Sequence, residues 1–127
     1  MKMTGMKKGQ ALVEFAVIFP FIILLMIGLI DVGRALLAYS TLNNAVREGT
    51  RIAVVGGSEG DISDRISEVA TLFLQDFDPA SIGFESTGTY TDPKTRITIS
   101  YTYDGIFPGF IIPITVQSEM LLAPFAK

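Results

Sequence analysis

From Gln10 to Ile30 the chain is a nearly unbroken apolar run. Glu14 is the one ionisable residue between Lys8 and Asp31, and from Phe15 to Ile30 nothing is more polar than Pro20 and Gly28. At about 1.5 Å per helical residue, such a run covers a hydrocarbon core of roughly 30 Å. The pattern then changes without stopping. Ala35, Ala38, Leu42, Ala45, Val46, Gly49, Ile52 and Ala53 recur at steps of three and four, the spacing of one helical face. One helix is therefore predicted to continue out of the membrane and to stop at Gly56-Gly57. Pro20 is expected to kink or loosen it, because proline removes an amide donor and crowds the preceding turn. Ala45, Gly49 and Ala53 form a row of small residues at four-residue spacing, which lets another backbone approach closely and marks a helix-packing site.

Beyond the linker Gly56-Gly57-Ser58-Glu59-Gly60, residues Ile62, Ile66, Val69, Leu72, Phe73 and Phe77 fall on one helical face. Acidic residues gather at its start, and Asp78-Pro79 closes it, so a capped amphipathic helix is predicted. A strand is predicted around Ile82–Ser86, then a turn-rich stretch through Gly88, Asp92 and Pro93. From Arg96, the alternation of Ile97, Ile99, Tyr101 and Tyr103 with Thr98, Ser100 and Thr102 reads as a half-buried strand. The segment Gly105 to Pro113 holds too much proline for a helix and is unusually apolar for a loop. A last strand follows, with Ile114, Val116 and Met120 on one side and Thr115, Gln117 and Glu119 on the other. The fold class is α+β: a long N-terminal transmembrane helix continuing into an ectodomain with a second helix and a small antiparallel sheet. The expected organisation is a basic leader over 1–9, the extended helix over 10–55 and an extracytoplasmic domain over 56–127.

Phe107, Phe110, Ile111 and Ile112 either cap the core of the sheet or form an apolar patch for a membrane surface or a partner subunit.

Composition agrees with a chain that leaves apolar surface in lipid or in partners. The 127 residues are 49% hydrophobic and 18% charged, below the roughly 25% charged of ordinary soluble domains, and mean hydropathy is +0.45. Cysteine and histidine are both absent, which excludes a disulfide framework and thiolate chemistry and removes the usual general base. A hydrolytic triad has no base of the usual kind, and no phosphate-binding glycine loop occurs. Asp61, Asp64 and Glu68 read as a solvated helix start rather than a cation site. No catalytic residue, cofactor or metal is expected. The formal charge of −3 gives no basic footprint for nucleic acid.

Lys2, Lys7 and Lys8 precede the apolar run, so the positive-inside rule puts the N-terminus in the cytoplasm and the domain outside. A removable secretory signal would share this layout, but the run exceeds the usual apolar region and no small-residue cleavage site follows it. Glu14 is costly near a span unless it is paired, at the interface or functional. Snorkelling at the headgroups is one account. Its setting suggests another: Lys7-Lys8-Gly9 comes before Gln10, and Glu14 and Phe15 are the fifth and sixth residues after Gly9. This resembles a class III prepilin processing site. Cleavage between Gly9 and Gln10 would remove three lysines, taking the side-chain charge from −3 to −6. It would also create an α-amine on Gln10 that Glu14 of a neighbouring subunit could pair, unless the glutamine cyclises.

The ordered series Gly9-Gln10-Ala11-Leu12-Val13-Glu14-Phe15-Ala16, Phe19-Pro20, Asp31-x-x-Arg34, Leu42-Asn43-Asn44-Ala45 and Arg47-Glu48-Gly49-Thr50-Arg51 closely resembles TadE-like proteins, minor pilins or pseudopilins of the tight-adherence pilus. The resemblance implies processing by a prepilin peptidase and single-pass insertion in the bacterial cytoplasmic membrane. It also implies assembly with other pilins through a secretion ATPase and platform proteins, with Glu14 and Phe15 as assembly residues. Phe15 and a sizeable ectodomain depart from the short major subunits, which often carry Tyr after the Glu, and favour a minor subunit. The alternative is an unprocessed, single-span accessory protein that binds an extracytoplasmic partner.

Overall fold

The computed structural model describes residues 4–89 and 92–121, with side chains over 9–85 and 94–119. Lys2, the Lys7 and Lys8 side chains and the Met120 side chain lie outside that description. The first helix, α1, runs from Thr4 to Val54 as one element and passes through Pro20 unbroken. It ends where the sequence predicts. Gly56 takes φ +85°, and the N–H groups of Gly56 and Gly57 donate to the carbonyls of Ala53 and Ile52, each at 3.1 Å. Glycine takes this left-handed conformation without the steric cost a Cβ would carry, so the terminal carbonyls gain partners and the helix stops.

The second helix, α2, spans Glu59–Thr71. Ser58 caps it: its hydroxyl accepts the Asp61 N–H at 3.2 Å, and the Asp61 carboxylate accepts the Ser58 N–H at 3.0 Å. This is a capping box with Asp in place of the usual Glu or Gln. The helix is shorter than its apolar spacing predicts, and Leu72 and Phe73 are exposed rather than on its inner face. The N–H groups of Phe73 and Leu74 both donate to Ala70 O, so the chain leaves the helix there and the three-to-four periodicity lapses. Ala70 and Leu74 take the buried positions instead, and Phe77 is buried as predicted although it lies beyond the helix.

A 3-10 turn over Pro79–Ser81, capped by Asp78, leads into strands β1 (Ile82–Thr89), β2 (Asp92–Asp104) and β3 (Ile111–Leu121). They form one antiparallel sheet in the order β1-β2-β3. The pairs Ile82–Ile99, Phe84–Ile97, Ile99–Val116, Tyr101–Ile114 and Tyr103–Ile112 put every second residue on the inner face, as the period of two requires. Two expectations are corrected here. β1 and β2 reach to the Thr89–Asp92 pair, through the stretch read as turn-rich. β3 already starts at Ile111 and includes Pro113, which pairs with Thr102; an edge strand tolerates a residue without an N–H.

The core lies between α1, α2 and the inner sheet face. Leu42, Val46, Ile66, Ile97 and Ile99 are fully buried there. The distal half of α1, from Asp31 on, thus belongs to the folded unit, and its stripe from Ala35 to Ala53 faces inward as predicted. Leu12 to Ile30 lies outside that core with its large side chains exposed, apart from the half-buried Ile27.

Candidate membrane-anchor and assembly site

The segment proposed for processing and assembly is the start of α1. Gly9, Gln10, Glu14 and Phe15 are all exposed. A Cβ added at Gly9 would meet nothing within 4 Å, so packing within the chain gives no reason for glycine there. Among the described side chains Glu14 has neither a hydrogen bond nor an ion pair. Phe15 stacks one turn down the helix on Phe19, with ring centroids 5.4 Å apart. The apolar stretch of α1 has a mean hydropathy of 2.7 with none of its most apolar window buried. It is the single described helix long and apolar enough to cross a bilayer.

The small-residue row behaves differently. Ala45, Gly49 and Ala53 are buried, and the element facing Gly49 is α2 of the same chain. A Cβ on Gly49 would stand 2.6 Å from Ile66 Cδ1 and 3.2 Å from Ile62 Cγ2. Thr50, also buried, donates its hydroxyl back to Arg47 O at 2.8 Å, and Glu48 lies 3.9 Å from Arg65 of α2.

The apolar residues after β2 are divided by strand alternation. Phe110 and Ile112 pack against the core, whereas Phe107 and Ile111 are exposed, as is Ile106. Pro108 and Gly109, the latter at φ +86°, occupy the centre of a turn closed by Phe110 N–H to Phe107 O at 3.0 Å. Pro followed by a glycine of positive φ is the pattern of a type II turn.

What holds this loop is a residue that the sequence marks only as the end of the span. Asp31 is 1% exposed. Its carboxylate accepts the N–H of Ile106 at 2.8 Å, the N–H of Phe107 at 3.0 Å and the Tyr103 hydroxyl at 3.4 Å. Three donors make the burial of this charge acceptable. Gly105 completes the fit: a Cβ there would lie 2.9 Å from Phe110 O and 3.0 Å from Asp31 Oδ2. Burial pushes the Tyr103 phenol above its ordinary range, reinforced by Asp31 and opposed by Arg34, so the phenol remains a donor at neutral pH. A lone carboxylate closing an apolar run, together with a distant Gly-x-x-Pro-Gly, was the available signal for this contact.

Of the three acidic residues considered for a cation, Asp61 is committed to the Ser58 cap and Glu68 to Arg65 at 2.7 Å. No cluster of three metal-ligating side chains forms among the described residues.

Residues 9–51 match the family model of TadE-like proteins. The chain is similar to that family over this segment, which is about a third of its length. No curated protein and no solved structure matches it. The TadE-like segment runs from the exposed start of α1 through Asp31 to the helix turn beneath α2. It thus joins the apolar run to the core of the domain. α2 and the sheet lie beyond the matched residues.

Proposed function

We propose that this chain is a minor pilin or pseudopilin of a tight-adherence pilus, a structural subunit rather than an enzyme, cut by a prepilin peptidase between Gly9 and Gln10. The observation that carries the reading is the coincidence of the TadE-like segment with an exposed apolar run in which the sole carboxylate, Glu14, has no partner among the described side chains. In the proposed mechanism, cleavage removes the lysines and exposes the Gln10 amine. Glu14 of a neighbouring subunit then pairs with that amine as the helices pack, and Phe15 joins the same contact. The open surroundings of Gly9 support recognition from outside the chain as the reason for its glycine. The N-terminus lies in the cytoplasm and the α+β domain in the periplasm or beyond, where it primes or decorates the filament. An assembly ATPase and platform proteins drive extraction from the membrane.

N-terminal sequencing of the protein extracted from membranes that contain an active prepilin peptidase tests this. The expected start is Gln10 or its cyclised form, and Gly9→Val should leave the full-length chain. A start at Met1 in wild-type cells would overturn the proposal in favour of a permanently anchored accessory protein.

A further inference from the structure

We propose that the loop between β2 and β3 is a lipid-contacting wedge, with Ile106 and Phe107 resting in the membrane interface beside the point where α1 leaves the bilayer. Two observations combine. The first is position: the amides of both residues bond to Asp31 at 2.8 and 3.0 Å, and Asp31 directly follows Ile30, the last residue of the uncharged run. One residue along a helix is about 1.5 Å, so the loop backbone sits at the depth at which the span ends.

The second observation is chemistry. Ile106 and Phe107 are 52% and 45% exposed, although an inward alternative exists in the same loop and is filled by Phe110. No side chain from Gly105 through Ser118 is charged, so the loop brings no ion toward the acyl chains. Arg34, exposed three residues beyond Asp31, lies about 4.5 Å farther along the axis, the level where a guanidinium meets lipid phosphates. Apolar side chains at such a boundary bury themselves roughly 5–10 Å deep at the headgroup and acyl junction. Continuity with the uncovered helix is what selects lipid over a protein partner: the exposed apolar side chains of α1 run up to Ile30, and those of the loop begin beside Asp31. The inference needs α1 to sit in a bilayer; it does not need the chain to be cleaved or to enter a pilus.

The chain has no Trp, so single tryptophans report position directly. The full-length protein would be reconstituted in phosphatidylcholine–phosphatidylglycerol vesicles whose chains are brominated either near the headgroup or near the chain end. Phe107→Trp and, as a second probe in case that site does not accept the indole, Ile106→Trp should lose roughly half their emission to shallow bromine and little to deep bromine. Leu24→Trp, within the span, should respond to deep bromine, and Gln117→Trp, on the outer sheet face, to neither. Replacing Asp31 by Asn in the Phe107→Trp background should reduce the shallow quenching by releasing the loop. If both loop probes behave like Gln117→Trp while Leu24→Trp is quenched, the wedge does not exist. Emission that shifts with protein concentration but not with bromine would assign the loop to a second copy and equally overturn the proposal. So would a Leu24→Trp probe that escapes quenching, since the anchor would then not be in the bilayer.

Discussion

Asp31 and Ile106, 75 residues apart in sequence, are joined by a 2.8 Å hydrogen bond from the Ile106 amide to the Asp31 carboxylate. The bond ties the end of the apolar run of α1 to the loop between β2 and β3. It makes the loop after β2 part of the anchor rather than a free connection.

Asp31→Ala should therefore strand the amides of Ile106 and Phe107. Hydrogen exchange at those two positions should accelerate roughly tenfold or more, while the fully buried centre of β2 at Ile97 and Ile99 retains its protection. Asp31→Asn, with a single acceptor oxygen, should fall between. Mass spectrometry of exchanged peptides in detergent reads both, and unchanged protection at the loop would show that Asp31 does not hold it.

Gly49→Ala is predicted to destabilise the domain although alanine is the better helix former. The new Cβ would stand 2.6 Å from the fully buried Ile66. The overpacking cost of about 1–3 kcal/mol exceeds a propensity gain of about 1 kcal/mol. Denaturant titration measures the difference, and Ile66→Val in the same chain should recover part of it.

The α2 cap sets a pH dependence. The Ser58 hydroxyl, and after it the Ser58 N–H, hold the Asp61 carboxyl below the ordinary carboxylate range. A depressed folded value means that the stabilisation is complete above the unfolded pKa of about 3.9 and is lost as pH falls through the folded one. Ser58→Ala should cost about 1 kcal/mol near neutrality and flatten the acid limb. Helical circular dichroism during acid titration follows this.

Glu14→Gln keeps the side-chain volume and removes the charge. The variant should insert and be processed as the wild type is, yet lose crosslinking to neighbouring pilins and pilus-dependent adhesion. Wild-type crosslinking and adhesion would favour the headgroup-snorkelling account of Glu14.

Local patterns carried most of the architecture. The stripe from Ala35 to Ala53, the stop at Gly56 and the alternation of Ile97, Ile99, Tyr101 and Tyr103 are all written at short range, and the structure follows them. Leu72 and Phe73 went astray because helical spacing predicts a face only while the helix lasts, and nothing nearby in sequence marks the end at Thr71. The extension of β3 back to Ile111 was hidden by Pro113, which is permissible at an edge but not in an interior strand. Asp31 illustrates the deeper limit. Its residue type and place at the end of the apolar run are visible, but its three donors come from residues more than 70 positions away, and no periodicity encodes them. The start of α1 is the reverse case: Gly9 and Glu14 are conspicuous in sequence yet make few contacts within the chain, because their proposed partners are other molecules.

Because α1 runs as one helix from Thr4 to Val54, the helix that carries the apolar run is the same one against which α2 and the sheet are packed. No loop separates the apolar run from the domain, and the stretch beyond Pro20 runs into the core without a helix breaker. Tension applied to the sheet passes straight into the span without first straightening a tether. With the apolar run in a bilayer, a tilt of the helix beyond Pro20 would be passed on to the sheet and turn its polar outer face.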